Sequence, residues 1–322
     1  MWHKDDQVHE VIFRTSFSKF ALESPFSIRF FSVILRANAI QCTFGLKMEF
    51  TSATLPLKIS LISIEKLRPH EEVIEVLVRK LADDMRSRNE VRDPLIVDQK
   101  TFVILDGMHR YASLKQLGCR SAPCCLLEYD NARIKVGSWY RAFEVNNAEG
   151  VAASVLDSLG LQYRKLRTSN QIHFERLITL ADGISFELTR DADKIAKTKL
   201  AVTIERSMVE RGYDVQFVPE KIATEKPPQR PDLMIPLPIF SKEEIRQIAE
   251  TGQLLPHKVT RHVIPSRPLE LDVPLNLLTE EQVEDANEKL GALLSSKHID
   301  IRPPGSIVDG RQYQEELLVF TP

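Results

Sequence analysis

The run Ile104-Leu105-Asp106-Gly107-Met108-His109-Arg110-Tyr111 constrains this chain more than any other segment. It reads as a buried strand that ends in Asp-Gly and turns directly into a helix. Gly107 lets the backbone approach a ligand closely, and Asp106 has the chemistry of a helix N-cap. A helix start carries unpaired N–H groups and about half a positive charge, so cations in its first turn are locally unfavourable. His109 and Arg110 stand there nonetheless. Either Asp106 offsets them or a bound anion does, and phosphate suits such a site. These residues alone leave two readings open, a helix start with one salt bridge and a phosphate cradle.

The flanking pattern supplies a scaffold for that turn. Leu57 to Ile64 alternates as a strand closed by Pro69, and Val73, Leu77, Leu81 and Met85 form a helical stripe. Pro94 to Asp98 predicts a short strand, Gln99-Lys100 a turn, and Phe102 to Leu105 a returning strand. The helix from Met108 places Tyr111, Leu114 and Lys115 over one another and stops at Gly118. Ala122 to Leu127 and Ile134 to Tyr140 read as two more strands, completing an α/β unit over Leu57 to Phe143.

The second half is less sharply written. Helices are expected over Val151 to Leu159, Ile195 to Arg211 and Thr279 to Leu294, and strands over Ile184 to Leu188, Asp214 to Val218 and Leu233 to Ile235. Lys226-Pro227-Pro228-Gln229-Arg230-Pro231 reads as a loop. Ser241-Lys242-Glu243-Glu244 has the form of a capping box, opening a helix that ends at Gly252. A polar tail is expected after Leu294. The expected class is α/β (α+β), divided into an extension outside the fold at 1–47, a first domain at 48–145, a second mixed α/β domain at 146–278 and a C-terminal helical extension and tail at 279–322.

Composition excludes several classes. With 43% hydrophobic and 27% charged residues the chain fits an ordinary globular protein, and a net charge of -2 gives no basic bias calling for a nucleic-acid partner. Cys42, Cys119, Cys124 and Cys125 make no CxxC pair and no Cys/His spacing, so zinc is not expected and a reducing compartment is. Phe30 to Leu35 falls far short of the roughly 20 apolar residues that span a bilayer. Asp5, Asp6 and Glu10 oppose a secretory leader, although a Phe- and Ser-rich start is also compatible with a transit peptide. Met48 is a candidate translation start, and the cytoplasm the default location. There is no Walker A sequence and no Gly-rich dinucleotide fingerprint, so nucleotide binding requires another scaffold.

Three further segments carry candidate chemistry. The acids of Pro69-His70-Glu71-Glu72 suit the positive end of a helix and need no other role; pointed into a cleft, one becomes a general base for a hydroxyl. Trp139 can stack on a base or fill a core. Thr260-Arg261-His262 combines hydroxyl, guanidinium and imidazole, enough to hold an amino-acid carboxylate or simply to form a solvated loop.

In sequence order, Leu67-Arg68-Pro69-His70-Glu71, Asp106-Gly107-Met108-His109-Arg110, Trp139-Tyr140 and Thr260-Arg261-His262-Val263-Ile264-Pro265 resemble the archaeal free serine kinases. Those enzymes belong to the ParB/sulfiredoxin-like superfamily, and the resemblance spans about Leu57 to Leu278. It implies a ParB/sulfiredoxin-like N-terminal domain and transfer of a phosphate from ADP or ATP to the hydroxyl of free L-serine, in cysteine or serine metabolism. By position it implies Glu71 as the base that takes the serine proton. Asp106, Gly107, Met108, His109 and Arg110 would form the nucleotide phosphate site, with Asp106 helping to place Mg2+. Trp139, Thr260, Arg261 and His262 would shape the serine site. The family has His where this chain has Met108, which implies a weaker phosphate hold or a changed donor preference. Sulfiredoxin-type repair is excluded, since it needs Cys at that same position. The alternative is a ParB-like DNA-binding or nucleotide-binding regulatory protein without kinase activity, but the second half is not basic and shows no recognition helix.

Overall fold

Residues 48–51, 55–167, 175–190, 192–220 and 231–322 are described by the structure, a computed structural model. The N-terminal extension and residues 226–230 of the Pro-rich loop lie outside the described residues.

The first half supplies β1 (Met48–Thr51), β2 (Pro56–Ser63), β3 (Glu90–Val91), β4 (Leu95–Asp98), β5 (Ile104–Asp106) and β6 (Ser121–Leu127), with helices α1 (Glu75–Arg88) and α2 (Met108–Gln116). Five of these strands form a sheet in the order β1-β2-β6-β4-β5. Its middle strand, β6, is buried at all seven positions, antiparallel to β2 and parallel to β4. A strand covered on both faces needs an unbroken apolar run, and Ser121–Leu127 is nearly one. β4 and β5 pair antiparallel. Phe102 takes a left-handed φ of 57°, so the returning strand starts at Ile104, two residues later than expected.

The buried face of α1 is also shifted. Val78, Ala82 and Met85 point inward, whereas Leu77 is 43% exposed. The helix starts at Glu75, so Val73 is not in register with the stripe assigned to it. Between β5 and α2 the chain pivots on Gly107 at φ 100°. A Cβ there would lie 2.7 Å from Leu95 Cδ2, so the turn requires glycine.

The second sheet contains β7 (Lys135–Phe143), β8 (Tyr163–Arg167), β9 (Ile178–Leu180), β10 (Ile184–Leu188), β11 (Gln216–Pro219) and β12 (Leu233–Ile235), in the order β11-β7-β12-β9-β10-β8. β13 (Thr260–Val263) pairs with the beginning of β7. Three helices accompany this sheet: α3 (Ala148–Ser158), α4 (Lys194–Glu210) and α5 (Lys242–Thr251). The capping box at Ser241 and Glu244 forms, and Gly252 ends the helix in the left-handed region. One assignment is corrected. The strand expected at Ile134 to Tyr140 is β7, and it pairs with β11, β12 and β13 rather than within the first sheet.

A larger correction concerns the chain after Leu278. The expected helix begins at Val283, not Thr279, because Thr279 closes the short helix α6 (Leu275–Leu278). The segment C-terminal to α7 (Val283–Ser295) is not a polar tail. β14 (Ser266–Leu269) and β15 (Val273–Pro274) precede this helix; β16 (His298–Arg302), β17 (Ile307–Val308), β18 (Arg311–Gln312) and β19 (Glu316–Thr321) come after it. β19 lies between β14 and β16, with Leu317–Phe320 fully buried. β15 pairs with β3, and Asn287 of α7 brackets the Leu61 peptide, accepting from its N–H at 2.7 Å and donating to its carbonyl at 3.1 Å. The last segment therefore folds back on the first sheet.

One stretch of extended chain joins the two large sheets. The Arg68 N–H donates to Phe102 O, and Arg68 O accepts from Ile104 N–H. Two residues on, Leu255 N–H donates to His70 O and Glu72 N–H donates to Leu255 O. His70 and Glu71 are thus held between β5 and the approach to β13.

Candidate active site

A cavity of about 890 Å³ lies where these elements meet. Glu71, Asp106, Gly107, Met108, His109, Arg110, Trp139, Thr260, Arg261 and His262 all line it. Residues up to 191 positions apart in sequence (Glu71 and His262) therefore share one space.

Glu71 is fixed by the backbone and side chain of β13. Its Oε1 accepts from Val259 N at 3.1 Å, Thr260 N at 2.5 Å and Thr260 Oγ1 at 2.6 Å. Burial pushes its carboxyl up to about 7, and the Thr260 hydroxyl and N–H, Arg141 and the Val259 N–H pull only partly against that rise. His70, itself buried, completes the arrangement. Burial pushes its imidazole down to about 4, so it is neutral, and its Nε2 lies 2.8 Å from Thr260 Oγ1. The Thr260 hydroxyl thus links the His70 imidazole to the Glu71 carboxyl. This chain of bonds aims one carboxylate oxygen into the protein and leaves Oε2 for the cavity. His262 forms the deep wall, sharing a 2.8 Å hydrogen bond with the Tyr129 hydroxyl and kept neutral by burial, which lowers it to about 3.

The Asp-Gly turn differs from the sequence reading. Asp106 does not cap α2; the cap position is Gly107, with no side-chain hydrogen bond. The Asp106 carboxylate instead turns its Oδ2 to Arg267 Nη1 at 2.5 Å and Arg110 Nη2 at 3.2 Å. Burial alone would raise this carboxyl, but Arg267 and Arg110 hold it well below the usual carboxylate range. Arg110 also donates to Pro94 O at 2.5 Å, so its guanidinium braces the turn from within. Met108 packs into the core. His109 accepts the Ile74 N–H on Nε2 at 3.1 Å, which fixes the tautomer: the ring proton is on Nδ1. Burial and the nearby Lys258 lower its pKa, which favours the neutral form of an imidazole that lines the cavity.

Trp139 and Arg261 form the opposite wall, the guanidinium 5.5 Å from the indole. Lys258 lies beside them, 5.8 Å from Trp139 and 4.2 Å from the Phe217 ring. The loop bearing Lys258 is held by Arg141, a fully buried side chain that donates to the carbonyls of Trp139, His257 and Lys258 at 2.9 Å each and to Glu205 at 2.7 Å. Sequence reading missed Arg141, His257, Lys258, Arg267 and Arg311, all placed in or directly behind the cavity wall. A signal existed for one of them, since Arg141 interrupts the apolar run from Trp139 to Phe143, where an unpaired charge is prohibitively costly. Among the described residues, no cluster of three or more His, Cys, Asp or Glu could hold a metal by itself.

No family model matches the chain. It is 23% identical over 223 residues to the ADP-dependent L-serine kinase SerK of Thermococcus kodakarensis, a match covering 67% of this chain and 91% of that one. It is 24% identical over 252 residues to the ATP-dependent L-serine kinase SbnI of Staphylococcus aureus, covering 76% and 93%. The structure of a C-terminally truncated SbnI superposes with a TM-score of 0.60 at 21% identity, over 74% of this chain and 95% of that one. A free serine kinase in complex with AMP gives a TM-score of 0.57 at 24% identity, over 68% and 93%. The resemblance carried by four short motifs thus extends over two thirds of the chain, and the mixed α/β fold is shared with these structures.

Proposed function

We propose that this protein is a kinase that phosphorylates the hydroxyl of free L-serine, with ADP or ATP as donor. The observation that carries the reading is Glu71: a carboxyl raised to about 7 shares one cavity with a glycine turn and helix N-terminus suited to phosphate. A general base should have a pKa near the operating pH, and burial supplies that here. Names of the relatives support the same chemistry.

In this reading Glu71 Oε2 takes the serine hydroxyl proton as that oxygen attacks the terminal phosphorus. A new P–O bond forms, the bond to the bridging oxygen breaks, and the nucleotide leaves one phosphate shorter. Thr260 and His70 aim the carboxylate. The first N–H groups of α2 and the Nδ1–H of His109 hold donor phosphates, while Arg110 serves them indirectly by bracing Asp106 and the Pro94 carbonyl. Trp139, Thr260, Arg261 and His262 shape the serine site, with the Arg261 guanidinium facing the amino-acid carboxylate. Such a site works by positioning and charge neutralisation more than by covalent chemistry.

Mg2+ binds through one or two carboxylates plus phosphate oxygens. Both arginines engage Asp106 through the same oxygen, Oδ2, and Oδ1 has no hydrogen bond among the described residues. Asp106 therefore fits a Mg2+ held chiefly by the donor, which would spread the phosphate charge. Buried, unpaired Cys119, Cys124 and Cys125 support a reducing compartment, and we place the protein in the cytoplasm. No helix among the described residues is long and apolar enough to cross a membrane.

The test is incubation with L-serine, Mg2+ and ADP or ATP in turn. O-phosphoserine should accumulate with equimolar AMP or ADP. Absence of phosphoserine with both donors overturns the reading.

A further inference from the structure

The cationic groups around the cavity divide into those already engaged by protein and those that are not. Arg110 is held by Pro94 O and Asp106, and Arg267 by Asp106 and Glu315. Arg311 differs from both. It stands on β18, in the C-terminal hairpin, lines the cavity and is exposed. Its guanidinium lies 4.6 Å from the Tyr313 ring centroid, and no hydrogen bond or ion pair joins it to any described residue. Stacking on a tyrosine orients a guanidinium while leaving all five of its donors available.

The hairpin that carries Arg311 is tied down at several points. Arg92 pairs with Asp309, Gly305 N–H donates to Tyr313 O at 2.7 Å, and Tyr313 N–H donates to Ser306 O at 3.0 Å. Arg267 then links the hairpin to the Asp-Gly turn, with Nε on Glu315 at 2.8 Å and Nη1 on Asp106 at 2.5 Å. Arg311 lines the same cavity as Asp106 and Gly107 of the turn and Lys258 of the facing loop. Lys258 is two residues from Thr260, the residue that holds Glu71. Glu71 lines this cavity too, so a phosphate passing to a hydroxyl beside Glu71 would lie in the space that Arg311 borders.

We infer that Arg311 is a further phosphate-binding residue, supplied by the C-terminal hairpin, whose fork grips the terminal phosphate of the donor. The inference rests on the kinase reading and adds to it a contact from a segment in which sequence analysis found only a tail. A planar fork matches two non-bridging oxygens at once, which an ammonium cannot do.

The experiment compares full-length wild type with Arg311→Ala and Arg311→Lys in steady-state assays for each substrate, alongside calorimetric titration with ADP and ATP. Arg311→Ala should raise the donor KM about tenfold or more and lower kcat, with the serine KM within about twofold. Arg311→Lys should recover only part of the loss. A donor KM within twofold of wild type in Arg311→Ala overturns the inference while leaving the kinase reading intact. Wild type without phosphoserine formation overturns the kinase reading instead. Calorimetry then still reads Arg311: unchanged ADP and ATP affinity in the alanine variant overturns its phosphate contact too.

Discussion

Glu71 and Asp106 are carboxylates of one cavity in opposite environments. Glu71 meets only neutral donors, two N–H groups and one hydroxyl, and burial carries its carboxyl up to about 7. Asp106 meets two guanidiniums, and they hold it low. Hydrogen bonds from neutral groups orient a carboxylate without cancelling the cost of its charge, whereas a paired guanidinium cancels most of it. The first arrangement yields a group able to exchange a proton near neutral pH. The second yields a fixed anion that anchors a turn.

The largest effect should come from Glu71→Gln. An amide keeps the bonds from β13 and loses the proton acceptor, so kcat should fall by about 10² to 10⁴, with donor affinity little changed. Retained turnover would assign the base elsewhere. The same variant tests the environment separately from the chemistry. Folded Glu71 titrates near 7 against an ordinary value of 4.5, so the folded state holds an extra proton between those values. Stability from this group is present below about pH 4.5 and is lost as pH rises through 7. Glu71→Gln should therefore melt at a higher temperature than wild type at pH 8, and the gap should close by pH 4. Equal melting temperatures at pH 8 would mean that Glu71 is not desolvated.

Asp106→Asn should act with the reverse slope. Its folded pKa is depressed, so its contribution is complete above the ordinary value near 3.8, begins to shrink below it, and is lost only as pH falls through the much lower folded value. The carboxylate is 42% exposed, so solvent screening limits the stability cost at neutral pH to about 1–2 kcal/mol. Donor KM should rise about tenfold, because Arg110 and Arg267 lose the group that orders the turn. Urea titrations at pH 7 and pH 3 check the stability part. A cost undiminished at pH 3 would show that the ion pair is not its source.

How much of this contrast was legible in the sequence depends on how local each cause is. The strand-turn-helix at Ile104 to Tyr111 could be read because Gly107 and Gly118 punctuate it and its strand is continuous. The ten candidate residues could be named because their types suit the chemistry. What the Arg110 guanidinium faces could not, since Pro94 O reaches it only through the packing of β4 against β5. Arg141 is further from reach: its partners Glu205 and Lys258 lie 64 and 117 residues away. The C-terminal hairpin was hidden for another reason. β17 and β18 have two residues each, too few for any period to register, and the apolar run Leu317–Phe320 is preceded by polar residues.

Thr260→Val is the smallest change and gives the sharpest test of what separates the two acids. Valine matches threonine in shape, keeps the backbone N–H bond to Glu71 and removes only the hydroxyl. That hydroxyl bond lowers the Glu71 pKa, so its loss should raise it further, by up to about one unit. The ascending limb of the pH profile of kcat should move upward by the same amount. Activity near pH 7 should then fall several-fold and return near pH 9, where the carboxylate is ionised in both proteins. Thr260 also stands in the proposed serine site, so a raised serine KM alone would not discriminate. A change in substrate contact persists at every pH, whereas a change in the base disappears on the alkaline plateau. If the limb stays in place while kcat drops uniformly, Thr260 contacts serine and its hydroxyl does not hold down the pKa of Glu71.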